Sequence, residues 1–125
     1  MIESLFSSQT YVASKRMLDA TALRQQALAS NIANVETPGY KRVDLPREFA
    51  AEFSAKLRAG AAGSVSSPAL AEDKFAVSQR KDGNNVALDG ELLAMTRNTV
   101  EFDTLSELVS GSIKQLRLAI TGRSI

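Results

Sequence analysis

From Leu88 to Ile120 the apolar residues advance in alternating steps of four and three without a break, through Leu88, Leu92, Met95, Thr99, Phe102, Ser106, Val109, Ile113, Leu116 and Ile120. Only Thr99 and Ser106 in that row are not apolar. A heptad row of this kind lines one seam of a helix, here about 50 Å long at ~1.5 Å per residue. Asp89 and Glu91 stand in its first turns and Lys114, Arg117 and Arg123 near its last, the order that complements a helix dipole. In 125 residues, such a helix leaves room for one modest domain or for a long hairpin carrying an insertion.

The other end of the chain supplies the second arm. From Ser8 to Val35 there is no Gly or Pro, and Ala, Leu, Arg, Gln and Met recur, so propensity favours a helix. Its seam runs through Tyr11, Leu18, Leu28, Ile32 and Val35, with Thr21 and Gln25 as polar interruptions. Asn34, then Thr37, Pro38 and Gly39, end it, and Pro-Gly suits the centre of a type II turn. The fold class is therefore mainly α, two long terminal helices in an antiparallel coiled-coil hairpin. Residues 1–35 and 86–125 are the arms, 36–85 a variable middle, and the whole one structural domain.

Within the middle, Leu45-Pro46-Arg47-Glu48 followed by Phe49, Phe53 and Leu57 reads as a short amphipathic helix, with a Glu52–Lys56 pair one turn apart. Ala59 to Ala69 has the composition of a flexible linker. Lys74 to Ser78 is expected to be extended. Asp82-Gly83-Asn84-Asn85 forms a turn cluster whose side chains offer acceptors to the exposed amides of the following helix.

Composition removes most chemistry. With fifteen Lys plus Arg against fourteen Asp plus Glu the net charge is +1, too small a field to hold nucleic acid or an anionic membrane. The chain has no Cys and no His, hence no disulfide, no thiolate metal site and no imidazole base. No catalytic, cofactor-binding or metal-binding residue is expected, and no small-molecule substrate. Glu101 with Asp103, and Glu48 with Glu52, are carboxylate pairs without the pocket or partner that would separate their acidities, and fit a solvated helix face. Gly60-Ala61-Ala62-Gly63-Ser64 lacks the Lys of a phosphate loop. Tyr40-Lys41-Arg42, beside Glu36 and Asp44, fits ordinary turn surface. The first ten residues carry neither a basic segment nor an apolar run, so no cleavable secretory signal is expected.

The C-terminal helix also bears Leu93, Val100, Leu105, Leu108 and Leu118 off its seam. One partner helix covers one stripe. At about 1.5–3 kcal/mol for each large side chain taken out of water, a second stripe implies contacts with other molecules, and ends that order fully only on assembly.

Ala29-Ser30-Asn31-Ile32-Ala33-Asn34-Val35-Glu36-Thr37-Pro38-Gly39-Tyr40-Lys41 resembles the N-terminal signature of the flagellar basal-body rod and hook proteins, an Asn-Ile-Ala-Asn core followed by Thr-Pro-Gly-Tyr. Ala87 and Gly90 depart from that family's pattern at the start of the second arm. The resemblance implies a structural subunit of the rod, with both arms in an inner layer and the middle turned outward. It implies assembly through the motif Asn31, Ile32, Asn34, Thr37, Pro38, Gly39 and Tyr40, with Asn31 and Asn34 at helix-end or intersubunit hydrogen bonds. Implied partners are other copies, sibling rod proteins, the basal-body adaptor at the rod base, the MS ring and the flagellar export gate. The implied location is the basal body in the periplasmic space, reached through the flagellar type III apparatus. A soluble coiled-coil adaptor or secretion chaperone that never polymerises is the alternative from composition and pattern alone.

Overall fold

The computed structural model describes Glu3, Ser4 and residues 7–122, so Arg123 lies outside the described residues. Helix α1 spans Gln9–Ala33, and Ser8 caps it by accepting the Tyr11 N–H at 3.3 Å. Asn34 closes its far end, its N–H donating to the Ser30 carbonyl at 3.0 Å. Strand β1, Val43–Asp44, leads into α2, Arg47–Arg58, with Pro46 at the N-cap position. A 3₁₀ turn at Ala62–Ser64 and strand β2, Ala71–Glu72, precede α3, Leu88–Thr121.

Helices α1 and α3 pair antiparallel. Asn31, near the end of α1, bonds Glu91 near the start of α3, and Thr21 and Gln25, further back, bond Asn98, further on. With 34 residues against 25, α3 is longer by about 13 Å. Gly122, in the left-handed region at φ 63°, ends α3 by donating to the Leu118 carbonyl at 2.8 Å. Asp89 and Glu91 lie in the first turn as expected, but the last turn holds no basic residue, since Lys114 and Arg117 sit further back.

The extended piece of the middle segment lies earlier than its composition suggested. β1 and β2 pair antiparallel, Val43 opposite Glu72 and Asp44 opposite Ala71. Beyond them Asp73 is drawn to the Arg42 guanidinium at 2.7 Å and accepts the Phe75 N–H at 3.0 Å, so Lys74 and Phe75 turn instead of extending. The linker also has anchors: Ala62 and Val65 are buried, and Gln9 of α1 donates to the Gly60 carbonyl and accepts from the Ala62 N–H.

The core is thin. Its apolar members are Ala20, Ala27, Leu28, Phe53, Ala62, Val65 and Val86, of which only Leu28 is both large and fully buried. Phe49 stacks on Phe53 at 6.2 Å between ring centroids, whereas Leu57 on the same helix is 43% exposed. Along α3, the side chains left exposed include Leu88, Leu92, Leu93, Val100, Phe102, Leu108, Ile113, Leu118 and Ile120.

Gly111 lies inside the continuous helix α3, and a methyl group built on it would meet nothing within 4 Å. Gly111→Ala should therefore stabilise the isolated chain by about 1 kcal/mol, read as a higher urea midpoint with an unchanged slope.

Candidate functional site

The signature segment folds back on its own helix. Thr37 accepts the Tyr40 N–H at 3.3 Å across Pro38 and Gly39, and Gly39 has φ 74°, the backbone of a type II turn that a side chain would strain. The turn returns Tyr40 to α1, where its hydroxyl lies 3.0 Å from Ser30 Oγ and donates to Asn31 Oδ1 at 3.2 Å.

Asn31 is completely buried and every valence of its amide is used within the chain. Nδ2 donates to the Val43 carbonyl at 2.8 Å and to Glu91 Oε2 at 3.0 Å. Oδ1 accepts from Tyr40 and from the Val43 N–H at 3.0 Å. One side chain thus ties α1, the signature turn, β1 and α3 together. Asn34 is half-buried at the helix end, donating to the Ser30 carbonyl at 2.9 Å and accepting from Thr37 Oγ1 at 3.1 Å.

A second buried amide works from the opposite side. Asn84 Nδ2 donates to the carbonyls of Asn34, Val35 and Thr37 at 3.0, 3.1 and 2.9 Å, and its Oδ1 accepts the Val86 N–H at 2.8 Å. The Asp82–Asn85 cluster was expected to serve amides at the start of α3. Instead Asn84 acts mainly as a donor, because the turn that follows α1 presents carbonyls that need one; Ala87, at the N-cap of α3, makes no side-chain cap. Gly83, at φ 87°, passes so close that a Cβ there would stand 3.5 Å from Gly39 Cα. Lys41 Nζ donates to the Gly83 carbonyl at 2.6 Å and Arg80 donates to that of Val35.

Charge completes the clamp. Glu91 is 3% exposed and accepts from Arg42 Nε as well as from Asn31. Arg42 also reaches Asp73 at 2.7 Å and Asp44 at 2.8 Å, and Arg24 bonds Asp44 at 3.2 Å. Burial alone would depress the Arg42 pKa, but hydrogen bonds and charge from Glu91 and Asp44 outweigh it and raise the pKa above the ordinary arginine value. These carboxylates are occupied in holding a guanidinium, and among the described residues no group of three His, Cys, Asp or Glu could hold a metal. Glu52, by contrast, is held below the usual carboxylate range by hydrogen bonds from Lys56 and Ser66.

The seams divide by arm. On α1, Leu28 is buried and Leu18 and Ile32 are half-buried, as is Val35, which falls in the turn just past the helix end at Ala33. On α3, Met95, Val109 and Leu116 are half-buried, but Leu88, Leu92, Phe102, Ile113 and Ile120 are exposed by between 38% and 62%. What α3 buries is Glu91 and Asn98. Apolar spacing overlooked both because they are polar; a hydrophobic pattern does not register a buried group stabilised by hydrogen bonds. Asn98 donates to the Thr21 carbonyl at 2.9 Å and to Gln25 Oε1 at 2.8 Å, while its own Oδ1 is buried without a partner. A cleft of about 810 Å³ opens beside it, walled by Phe49, Phe53 and Phe75.

The described residues thus form a helical hairpin, clamped at its head by amides and a saturated charge cluster and apolar on its outer faces. Residues 11–41, which are most of α1 and the turn up to Lys41, match the family described as Flagella basal body rod protein. The chain is 30% identical over 114 residues to the flagellar basal body rod protein FlgB of Aquifex aeolicus, covering 88% of this chain and 91% of that one. It is 31% identical over 115 residues to FlgB of Escherichia coli, covering 78% and 82%, and 27% identical over 130 residues to FlgB of Bacillus subtilis, covering 95% and 98%. The chain belongs to the family of the flagellar basal body rod protein FlgB.

Removing one side of the buried ion pair leaves the other uncompensated. Arg42→Met should cost about 3–5 kcal/mol, and adding Glu91→Leu should recover most of the loss. Urea denaturation of the single and double variants, followed by circular dichroism, tests this; equal losses in both would mean that charge is not what holds the pair.

Proposed function

We propose that this chain polymerises, with copies of itself and with sibling rod proteins, into the proximal part of the axial drive shaft, which transmits torque and lines the export channel. The observation that carries this reading is the exposed apolar surface on α3, present on more than one face of a helix whose main packing partner among the described residues is α1. Leu92, Leu93, Val100 and Leu118 are each between 46% and 62% exposed. Leaving such groups wet forgoes roughly 1.5–3 kcal/mol apiece, and contiguous apolar surface on a monomer marks an association site.

Long helices interlocked along their length suit torque. Axial slip requires every seam side chain to leave its hole at once. On this reading the arms, residues 1–35 and 86–125, form the inner layer and residues 36–85 face outward or toward neighbours. Asn31, fully engaged within the chain, shapes the head of the subunit, and Ile32, Pro38 and the exposed edge of the turn meet the neighbour. The adaptor at the rod base, the MS ring and the export gate are the proposed contacts beneath, and type III export into the periplasmic space is the proposed route. No helix among the described residues is long and apolar enough to cross a membrane, so anchoring to the ring would be through protein contacts.

Leu92→Asp tests the assignment, because Leu92 is 48% exposed and its replacement should change the stability of the isolated chain by no more than about 0.5 kcal/mol. The variant is expected to fold, to be missing from detergent-washed basal bodies and to leave cells non-motile. Normal swimming with Leu92→Asp, together with a parent chain that stays monomeric at high concentration, would sink the proposal.

A further inference from the structure

Two surfaces of the hairpin match each other, and they are not the same surface. At ~100° per residue, Leu93, Val100, Gly111 and Leu118 fall within about 20° of one line, on the side of α3 turned away from the face that buries Glu91 and Asn98. Leu93, Val100 and Leu118 are 54%, 62% and 46% exposed. The second surface is a groove of about 440 Å³ between α1 and α3, bordered by Ala22, Gln26, Ala29, Thr99 and Phe102. Ala22 and Ala29, one heptad apart and both exposed, leave its α1 wall low enough for another helix to enter.

We infer that the outer ridge of α3 in one copy seats in the α1–α3 groove of the next, antiparallel to that copy's α1. This rests on the proposed assembly and names the surfaces that make it. Leu93 and Val100 have the same one-heptad spacing as Ala29 and Ala22. Set opposite each other in that order, they bring Glu107 beside Lys15 and Gly111 beside Tyr11. Lys15 and Glu107 are exposed, opposite in charge and in no ion pair among the described residues. Gly111, which nothing within its own chain requires, supplies the one gap on the ridge where an aromatic ring comes closest. The opposite orientation, Leu93 at Ala22 and Val100 at Ala29, would carry Glu107 past the end of α1 at Ala33 and leave Lys15 without that partner. Because ridge and groove are different patches, each copy uses both, the contact is heterologous, and it continues from copy to copy as a ring or open helix.

The chain lacks cysteine, so Ala22→Cys and Val100→Cys can be made as separate full-length variants, both at exposed positions, with circular dichroism confirming the fold. Mixed in equal amounts under mild oxidation they should yield a disulfide-linked dimer that neither forms alone, and Ala22→Cys/Val100→Cys should yield a ladder of longer products. In sedimentation velocity, Lys15→Glu or Glu107→Lys should weaken self-association about two- to fivefold and the double reversal restore it. Gly111→Ala should weaken association while the chain itself becomes more stable, a pair of opposite signs that a purely structural role does not produce. Dimers from either cysteine variant alone, or no dimer from the mixture while sedimentation still shows association, would overturn the ridge-in-groove pairing and leave the assembly standing. If the parent chain does not associate at all, both fall.

Discussion

The rest of the molecule depends on the burial of Glu91. A carboxylate taken out of water costs several kcal/mol unless its charge is matched and its lone pairs are filled, and Glu91 sits at the first turn of α3 with 3% of its surface exposed. Arg42 and Asn31 meet that demand. Each is then held in turn, Arg42 by Asp44 and Asp73 and Asn31 by Tyr40 and Val43. Satisfying one group fixes where α1 ends, where β1 lies and where α3 begins. A core whose one large, fully buried apolar side chain among the described residues is Leu28 would not define that geometry alone, since apolar contacts are non-directional.

Directional bonding at the head also explains which parts were legible in the sequence. Both arms were visible, because an uninterrupted run of helix formers and a heptad row are local signals. So was the turn, since Pro-Gly at that position leaves few backbones available and Gly39 adopts φ 74°. The site was legible as a motif but not as an arrangement. Asn31 and Asn34 look alike in sequence, yet one is wholly buried with its amide saturated and the other sits half-buried at the helix end. Asn84 looked like an acceptor for the next helix and Arg42 like turn surface, because decisive partners lie far along the chain, 47 positions from Asn84 to Thr37 and 49 from Arg42 to Glu91. Nothing local in the sequence encodes such a pair.

The polar contacts of α3 escaped the pattern for a related reason. The fully buried residues of α3 are Glu91 and Asn98, next to an apolar row of which Met95, Val109 and Leu116 are half-buried and the others turned partly outward. Apolar pattern reports what must leave water in the final state of the protein, not which molecule removes it. In a monomeric hairpin the two coincide. On the proposed assembly they separate, and the polar residues then mark the contacts made within the chain while the apolar ones would mark those made between chains.

That separation has a mechanical consequence for a rod. Bonds within the chain are concentrated at the head, where Asn31, Asn84 and Arg42 hold the two arms in one register, and they become sparse toward the far end, where α3 outruns α1. Asn98 continues the polar key one step further, accepting an unpartnered buried oxygen as the cost of a fixed register; a polar residue at a seam position trades stability for specificity in this way. A chain held in register at one end and apolar along the other leaves surface that it does not cover itself. On the proposed assembly, stiffness in torsion would then come from contacts between copies, each docked against a head whose shape is already set, and the shaft would resist twisting without requiring the isolated chain to be highly stable.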